Sequence, residues 1–144
     1  MESITITRPV IIKVKVTADY KKKVATELQE AVARLDMQLQ HLDFQSRRLL
    51  AELEKRNPQG INAARQHLDK ERAVKLETRQ KLMDRLKETA KMAEGDEVIH
   101  GQAESIAEIK MGDDWLKFMS VEVVVQDGLV IEIRQGGIRG AERD

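Results

Sequence analysis

The sequence contains no cysteine, only 2 prolines and 3% aromatic residues. The absence of cysteine excludes disulfides, thiolate nucleophiles and cysteine-based metal sites. The sequence also lacks a run of about 18 apolar residues, the length that a membrane-spanning helix needs. Its start, Met1–Thr7, alternates apolar and polar residues, whereas a signal peptide has a continuous apolar core. We therefore expect a cytoplasmic protein with no membrane partner.

The sequence also has no excess of positive or negative charge, because Lys+Arg and Asp+Glu both number 25. Residues 18–94 are mildly basic and residues 95–144 are acidic. Acids and bases alternate along the central segment, which is typical of solvated helix faces with ion pairs between neighbouring turns. A nucleic-acid-binding protein more often concentrates its cations on one face.

The central segment, residues 18–94, carries a heptad pattern in its first half. Leu28, Leu35, Leu42 and Leu49 are each seven residues apart, and this spacing is typical of a helix that packs against another helix. The turn residues of 57–60, Asn-Pro-Gln-Gly, then interrupt the helical pattern. The second half has a weaker apolar stripe that includes three arginines. The sequence predicts a long antiparallel coiled-coil helical hairpin with its turn near 57–60.

The flanking segments have β-strand patterns. Residues 4–16 place their apolar side chains on one parity, and Asp127-Gly128 is a strong two-residue hairpin signal. A bulge is expected near Gly101. We predict an α+β fold in which residues 1–17 and 95–135 form a small antiparallel β-sheet or open barrel. The hairpin of residues 18–94 is inserted between them, and residues 136–144 form a flexible tail.

Two motifs in the C-terminal part carry a resemblance to a known family. The turn Gly112-Asp113-Asp114-Trp115 is followed by an apolar hairpin, 123–134, that contains Asp127-Gly128. Together with the strand and the helical hairpin before them, these motifs resemble the YlqD family. The resemblance implies a bacterial, cytoplasmic protein of uncharacterised function. It supplies no catalytic residue.

The sequence holds no converging set of catalytic or ligand-binding groups. His41, His67 and His100 are too dispersed for a metal site, although His100 is close in sequence to several acidic residues. A phosphate-binding glycine loop and a serine elbow are both missing. We therefore expect no enzyme activity, no cofactor and no metal. Trp115 is interpreted as closing the end of the β core, with exposure as a contact residue the alternative.

The first helix has a second apolar stripe away from its leucines. Met37 and Phe44 are one heptad apart on it, and Leu50 flanks the leucine stripe. A hairpin alone would leave Met37 and Phe44 in water, so we predict a homo-oligomer in which two hairpins associate through these three residues. The most consistent function is an oligomeric scaffold or assembly factor whose arms bind a partner protein.

An RNA- or ribosome-associated module is the alternative function. It would use basic residues near the hairpin tip, Lys55, Arg56 and Arg65, or basic residues of the second helix, Arg72, Lys75, Arg79 and Lys81.

Overall fold

The computed structural model describes residues 1–136. The predicted tail lies outside the described residues, apart from Gly136. The chain divides into two compact units. One contains Met1–Tyr20 and the chain from Met92 onward, and the other contains Lys21–Lys91. They are called the sheet unit and the hairpin unit below.

The described elements follow one another in the order expected of a helical hairpin between strands. They are β1 (Ser3–Lys15), α1 (Ala18–Arg56), a 3-10 turn (Pro58–Gly60), α2 (Ile61–Lys91), β2 (Glu97–Lys110), α3 (Trp115–Met119), β3 (Val121–Gln126) and β4 (Leu129–Gln135). The predicted α+β class is confirmed. Within residues 1–136 none of the helices combines the length and the apolar composition that crossing a bilayer requires.

The four described strands form one sheet in the order β2-β1-β3-β4. It differs from the expected antiparallel sheet in one pair, because β1 and β3 are parallel, so the sheet is mixed and open. The topology explains this difference. Lys110 at the end of β2 pairs with Ser3 at the start of β1. Because α3 follows β2 at this end of the sheet, β3 enters with its first residue, Val121, beside Val10 and runs in the direction of β1.

Two predicted irregularities of the sheet are confirmed. Ile12 pairs with Gly101 and Lys13 pairs with Ile99, so His100 is the extra residue of a bulge. The hairpin between β3 and β4 has Asp127 and Gly128 at φ 48° and 84°. Two positive φ values are the geometry of a type I′ turn, whose twist matches that of the strands.

Phe118, and not Trp115, closes one end of the β core. Asp114 caps α3, since its Oδ1 accepts a hydrogen bond from the backbone N–H of Lys117. The short helix turns Phe118 inward to 6% exposure and leaves Trp115 56% exposed. The interpretation of Trp115 as the closing residue is therefore wrong. The helical spacing set by the Asp114 cap decides which of the two aromatic residues is buried.

The hairpin unit pairs α1 with α2 in antiparallel orientation. The buried residues of α1 lie on the predicted leucine stripe: Leu28, Leu35, Leu39 and Leu42. Two ion pairs join the helices, Arg79–Asp36 and Arg72–Asp43. The paired residues are one heptad apart on each helix, so one antiparallel register relates both pairs.

Candidate functional site

Most arginines of the weak α2 stripe form ion pairs with α1 inside the hairpin unit. Arg79 Nε lies 2.7 Å from Asp36 Oδ1, and Arg79 Nη2 lies 3.4 Å from Asp36 Oδ2. Arg72 Nε lies 3.0 Å from Asp43 Oδ1. The hydrogen bond to Asp36 raises the pKa of Arg79 above its usual value, and the negative charge of Asp36 adds to this effect. These arginines therefore fix the register of the two helices.

The apolar stripe of the hairpin is only partly covered. Leu49 of α1 and Leu76 of α2 belong to the facing stripes, yet both remain exposed. Two helices cover each other along one line, so the flanks of that line stay open to solvent unless further helices pack there.

The outer surface of α1 carries the predicted second stripe. Met37 is 70% exposed and Phe44 is 57% exposed. Each follows a buried leucine, Leu35 or Leu42, by two positions, which is about 200° around the helix. They consequently face away from α2. The guanidinium of Arg48 lies 5.9 Å from the centre of the Phe44 ring.

Leu50 does not lie on this outer surface. It is half-buried, and its position is about 120° around the helix from Phe44. The structure thus brings together Met37 and Phe44, called the outer stripe below, and places Leu50 beside the facing stripes.

A groove with a volume of about 590 Å³ lies between the two helices of the hairpin unit. The register set by the ion pairs places Ala25 opposite Ala90, and these two small side chains leave the space open. Met83 and Leu86 add apolar surface, and the lysines of the lining are Lys21, Lys22 and Lys87. Sequence reasoning missed this groove, although facing alanines in two paired stripes are a signal for it.

The tip residues Lys55, Arg56 and Arg65 are all exposed. Lys55 and Arg56 end α1, and Arg65 lies in the second turn of α2. None of them takes part in an ion pair found within residues 1–136. In the second basic set, by contrast, Arg72, Arg79 and Lys81 each pair with an acidic residue.

The sheet unit contains an ion-pair network that sequence reasoning also missed. Arg134 Nη1 and Nη2 lie 2.7 and 2.6 Å from the carboxylate oxygens of Glu97, and Nη1 lies 3.6 Å from Glu122. Arg134 Nε donates to Glu132. Lys13 Nζ lies 2.7 Å from Glu122. The side chains of Arg134 and Glu97 are only 10% and 7% exposed.

This network gives the sheet a polar face. The hydrogen bonds to Glu97 raise the pKa of Arg134 above its usual value, and a guanidinium is charged at any ordinary pH in any case. The bidentate bond from Arg134 to Glu97 holds β4 and β2 in a fixed relative geometry. Alternating Glu132 and Arg134 within an apolar strand are the sequence signal for this face.

The exposed side chains of one outer strand, β4, are mostly apolar. No other described strand pairs with the outer side of β4. The exposed apolar residues of β4 are Leu129, Val130, Ile131 and Ile133.

The histidine and acidic residues do not assemble a metal site in residues 1–136. His100 is exposed at the bulge of β2, and the carboxylate of the neighbouring Glu97 is bonded to Arg134.

A search of curated proteins found no significant match. Among solved structures, the chain is similar to a crystal structure of a protein of unknown function from Synechococcus sp. WH 8102. The sequence identity is 24% and the TM-score is 0.73, over 92% of this chain and 95% of the other. That likeness concerns the fold alone. The family model described as YlqD protein matches residues 4–134, and the chain therefore belongs to the YlqD family.

Proposed function

We propose that this protein is a non-catalytic, cytoplasmic scaffold that self-associates through its helical hairpin and binds a partner protein with its helices. The observation that carries the proposal is the exposure of Met37 and Phe44 on the outer surface of α1. Exposed apolar residues are common singly. Two large ones on the same helix face, one heptad apart, match the spacing at which helices pack together.

The energy of apolar burial favours a second copy as the occupant of the outer stripe. Fully burying a methionine or phenylalanine side chain contributes about 1.5 to 3 kcal/mol. In a symmetric pair of hairpins each copy would bury the same stripe, so this contribution is doubled.

Substitution of the outer stripe tests this proposal. We expect Met37→Lys/Phe44→Lys to have a lower mass than the unmodified protein in light scattering at micromolar concentration. The reason is that two lysines facing each other across the interface cannot be buried without partners.

The matched control is Gln38→Lys/Gln45→Lys. It adds the same charge with the same heptad spacing, about 100° around α1 from the outer stripe. We expect this control to retain the mass of the unmodified protein. An unchanged mass for the Met37/Phe44 variant, or an equal drop for both variants, would refute self-association through the outer stripe.

RNA binding through the hairpin tip is the second candidate function. It is supported by the exposure of Lys55, Arg56 and Arg65, which have no ion-pair partner within residues 1–136, whereas Arg72, Arg79 and Lys81 of α2 are each paired. We expect Lys55→Glu/Arg56→Glu/Arg65→Glu to lose any retention on immobilised RNA at low salt. Retention that also falls steeply with added salt indicates phosphate contacts. If the unmodified protein is not retained at low salt, this second function is wrong.

A further inference from the structure

We propose that the groove between α1 and α2 binds an amphipathic helix of a partner protein, one that carries acidic residues on both sides of its apolar face. This inference rests on the proposed function, because it names the surface and the chemistry with which the helical hairpin binds its partner. All lining residues of the groove belong to the hairpin unit. The groove is separate from the outer stripe, since Ala25 lies about 100° around α1 from Phe44.

The floor of the groove is apolar and open to solvent on one side. Met83 and Leu86 are half-buried, and Ala90 is exposed beside them. These three residues are three and four positions apart, so they form one stripe along α2, and Ala25 faces this stripe from α1. The lining covers about two turns of each helix, roughly 10 Å. A bound helix presents apolar anchors over the same length, at positions i, i+3 or i+4, and i+7.

The rims of the groove are positive on both sides. Lys22 lies on the α1 rim and Lys87 on the α2 rim, and both side chains are exposed. No acidic residue is among the described residues that line the groove, and neither of these two lysines forms an ion pair within residues 1–136. Lys21 adds a third cation, and its Nζ donates to the backbone carbonyl of Ala90. A partner that covers the floor must place its own flanking side chains against these rims, so acidic flanks are complementary to them.

The open shape of the groove favours a helix over a lipid-like molecule. Sites for small molecules enclose most of the surface of their ligand. An acyl chain on this floor would instead remain largely in water, because the groove is open on one side. A ridge of side chains on a third helix fits the groove between two packed helices.

The outer stripe of a second copy has the wrong charge for this groove. The guanidinium of Arg48 lies 5.9 Å from the centre of the Phe44 ring, and Arg47 is exposed next to it. Docking the outer stripe into the groove would bring these cations against Lys22 and Lys87, and like charges across an interface are destabilising. The occupant is a helix of a different protein.

A pair of designed peptides tests the charge complementarity. The probe is a fluorescein-labelled helix of three heptads, with leucine at positions a and d and glutamate at positions e and g. The glutamates repel one another between copies of the peptide, which opposes its self-association. The second peptide has lysine in place of glutamate. We expect the acidic peptide to bind the full chain at micromolar concentration in fluorescence anisotropy, and the basic peptide to bind at least about tenfold more weakly.

Charge reversal on the two rims locates the binding. We expect Lys22→Glu/Lys87→Glu to lower the affinity for the acidic peptide by about tenfold or more. The matched control, Lys23→Glu/Lys70→Glu, makes the same change at two exposed lysines, each about 100° around its helix from the rim lysine. This control should keep the affinity within about twofold. An equal loss in both variants would mean that the peptide responds to net charge alone, and it would overturn the proposal.

Filling the floor tests the groove without a change of charge. Ala90→Phe should weaken the acidic peptide by about tenfold, because the phenylalanine ring occupies the space of the apolar anchors. Ala63→Phe is the matched control, since Ala63 is also exposed and lies about 180° around α2 from Ala90. We expect this control to bind as the unmodified protein does. Binding of neither peptide, or binding of dodecanoate in place of the acidic peptide, would overturn the proposal.

Light scattering of the groove variants separates this inference from the proposed self-association. The groove variants should retain the mass of the unmodified protein, because their substitutions lie away from Met37 and Phe44. If the acidic peptide does not bind while Met37→Lys/Phe44→Lys still lowers the mass, the groove inference is wrong and self-association through the outer stripe stands.

Discussion

Phe118→Ala is expected to lower the free energy of unfolding of the sheet unit by about 3 to 5 kcal/mol, the usual range for removing a buried phenylalanine ring. Phe118 is buried against the sheet, and its ring lies 4.6 Å from the guanidinium carbon of Arg8. The alanine variant loses the buried ring surface and this cation–π contact, and it leaves a cavity under α3. Urea unfolding followed by circular dichroism measures the change.

Trp115→Ala is the matched control for this prediction. Trp115 is the larger aromatic residue and belongs to the same short helix, but it is mostly exposed. We expect its removal to cost less than about 1 kcal/mol, as for most exposed positions. A greater loss of stability from Trp115→Ala than from Phe118→Ala would contradict the placement of the two rings.

Arg134→Ala is expected to have the second largest effect, a loss of about 2 to 4 kcal/mol in the free energy of unfolding. Its removal takes the bidentate cation from Glu97, whose side chain is 7% exposed, while Glu122 keeps its ion pair with Lys13. The cost therefore comes chiefly from the carboxylate that remains, and less from the lost bond itself. The same urea titration measures it.

A second variant separates these two contributions. In Arg134→Ala/Glu97→Gln the side chain at position 97 is neutral, so its burial without a cation costs less. We expect the double variant to be more stable than Arg134→Ala alone. If the two substitutions instead reduce stability additively, Arg134 and Glu97 are not coupled and the network has no energetic role.

The helical hairpin and the β-turn could be predicted from the sequence because their signals are local. The heptad leucines of α1, the Asn-Pro-Gln-Gly turn and Asp127-Gly128 each act on their immediate neighbours. The exposure of Met37 and Phe44 followed from the same helical periodicity. To predict this exposure, one needs only the assumption that α2 covers one side of α1.

The features that sequence reasoning missed depend on contacts between distant segments. The parallel pairing of β1 with β3 depends on the path of the chain through α3. The ion pair of Arg134 with Glu97 joins residues on the two outermost strands of the sheet. The burial of Phe118 was easier to predict from the sequence. Asp114 is a typical helix cap, so it predicts the short helix and therefore which side of that helix turns inward.

The mass of the unmodified protein in solution tests the central claim most directly. Light scattering over a range of micromolar concentrations should give a mass of at least two chains, because the protein is proposed to function as an assembly of hairpins. A mass of one chain throughout that range would contradict self-association through the outer stripe.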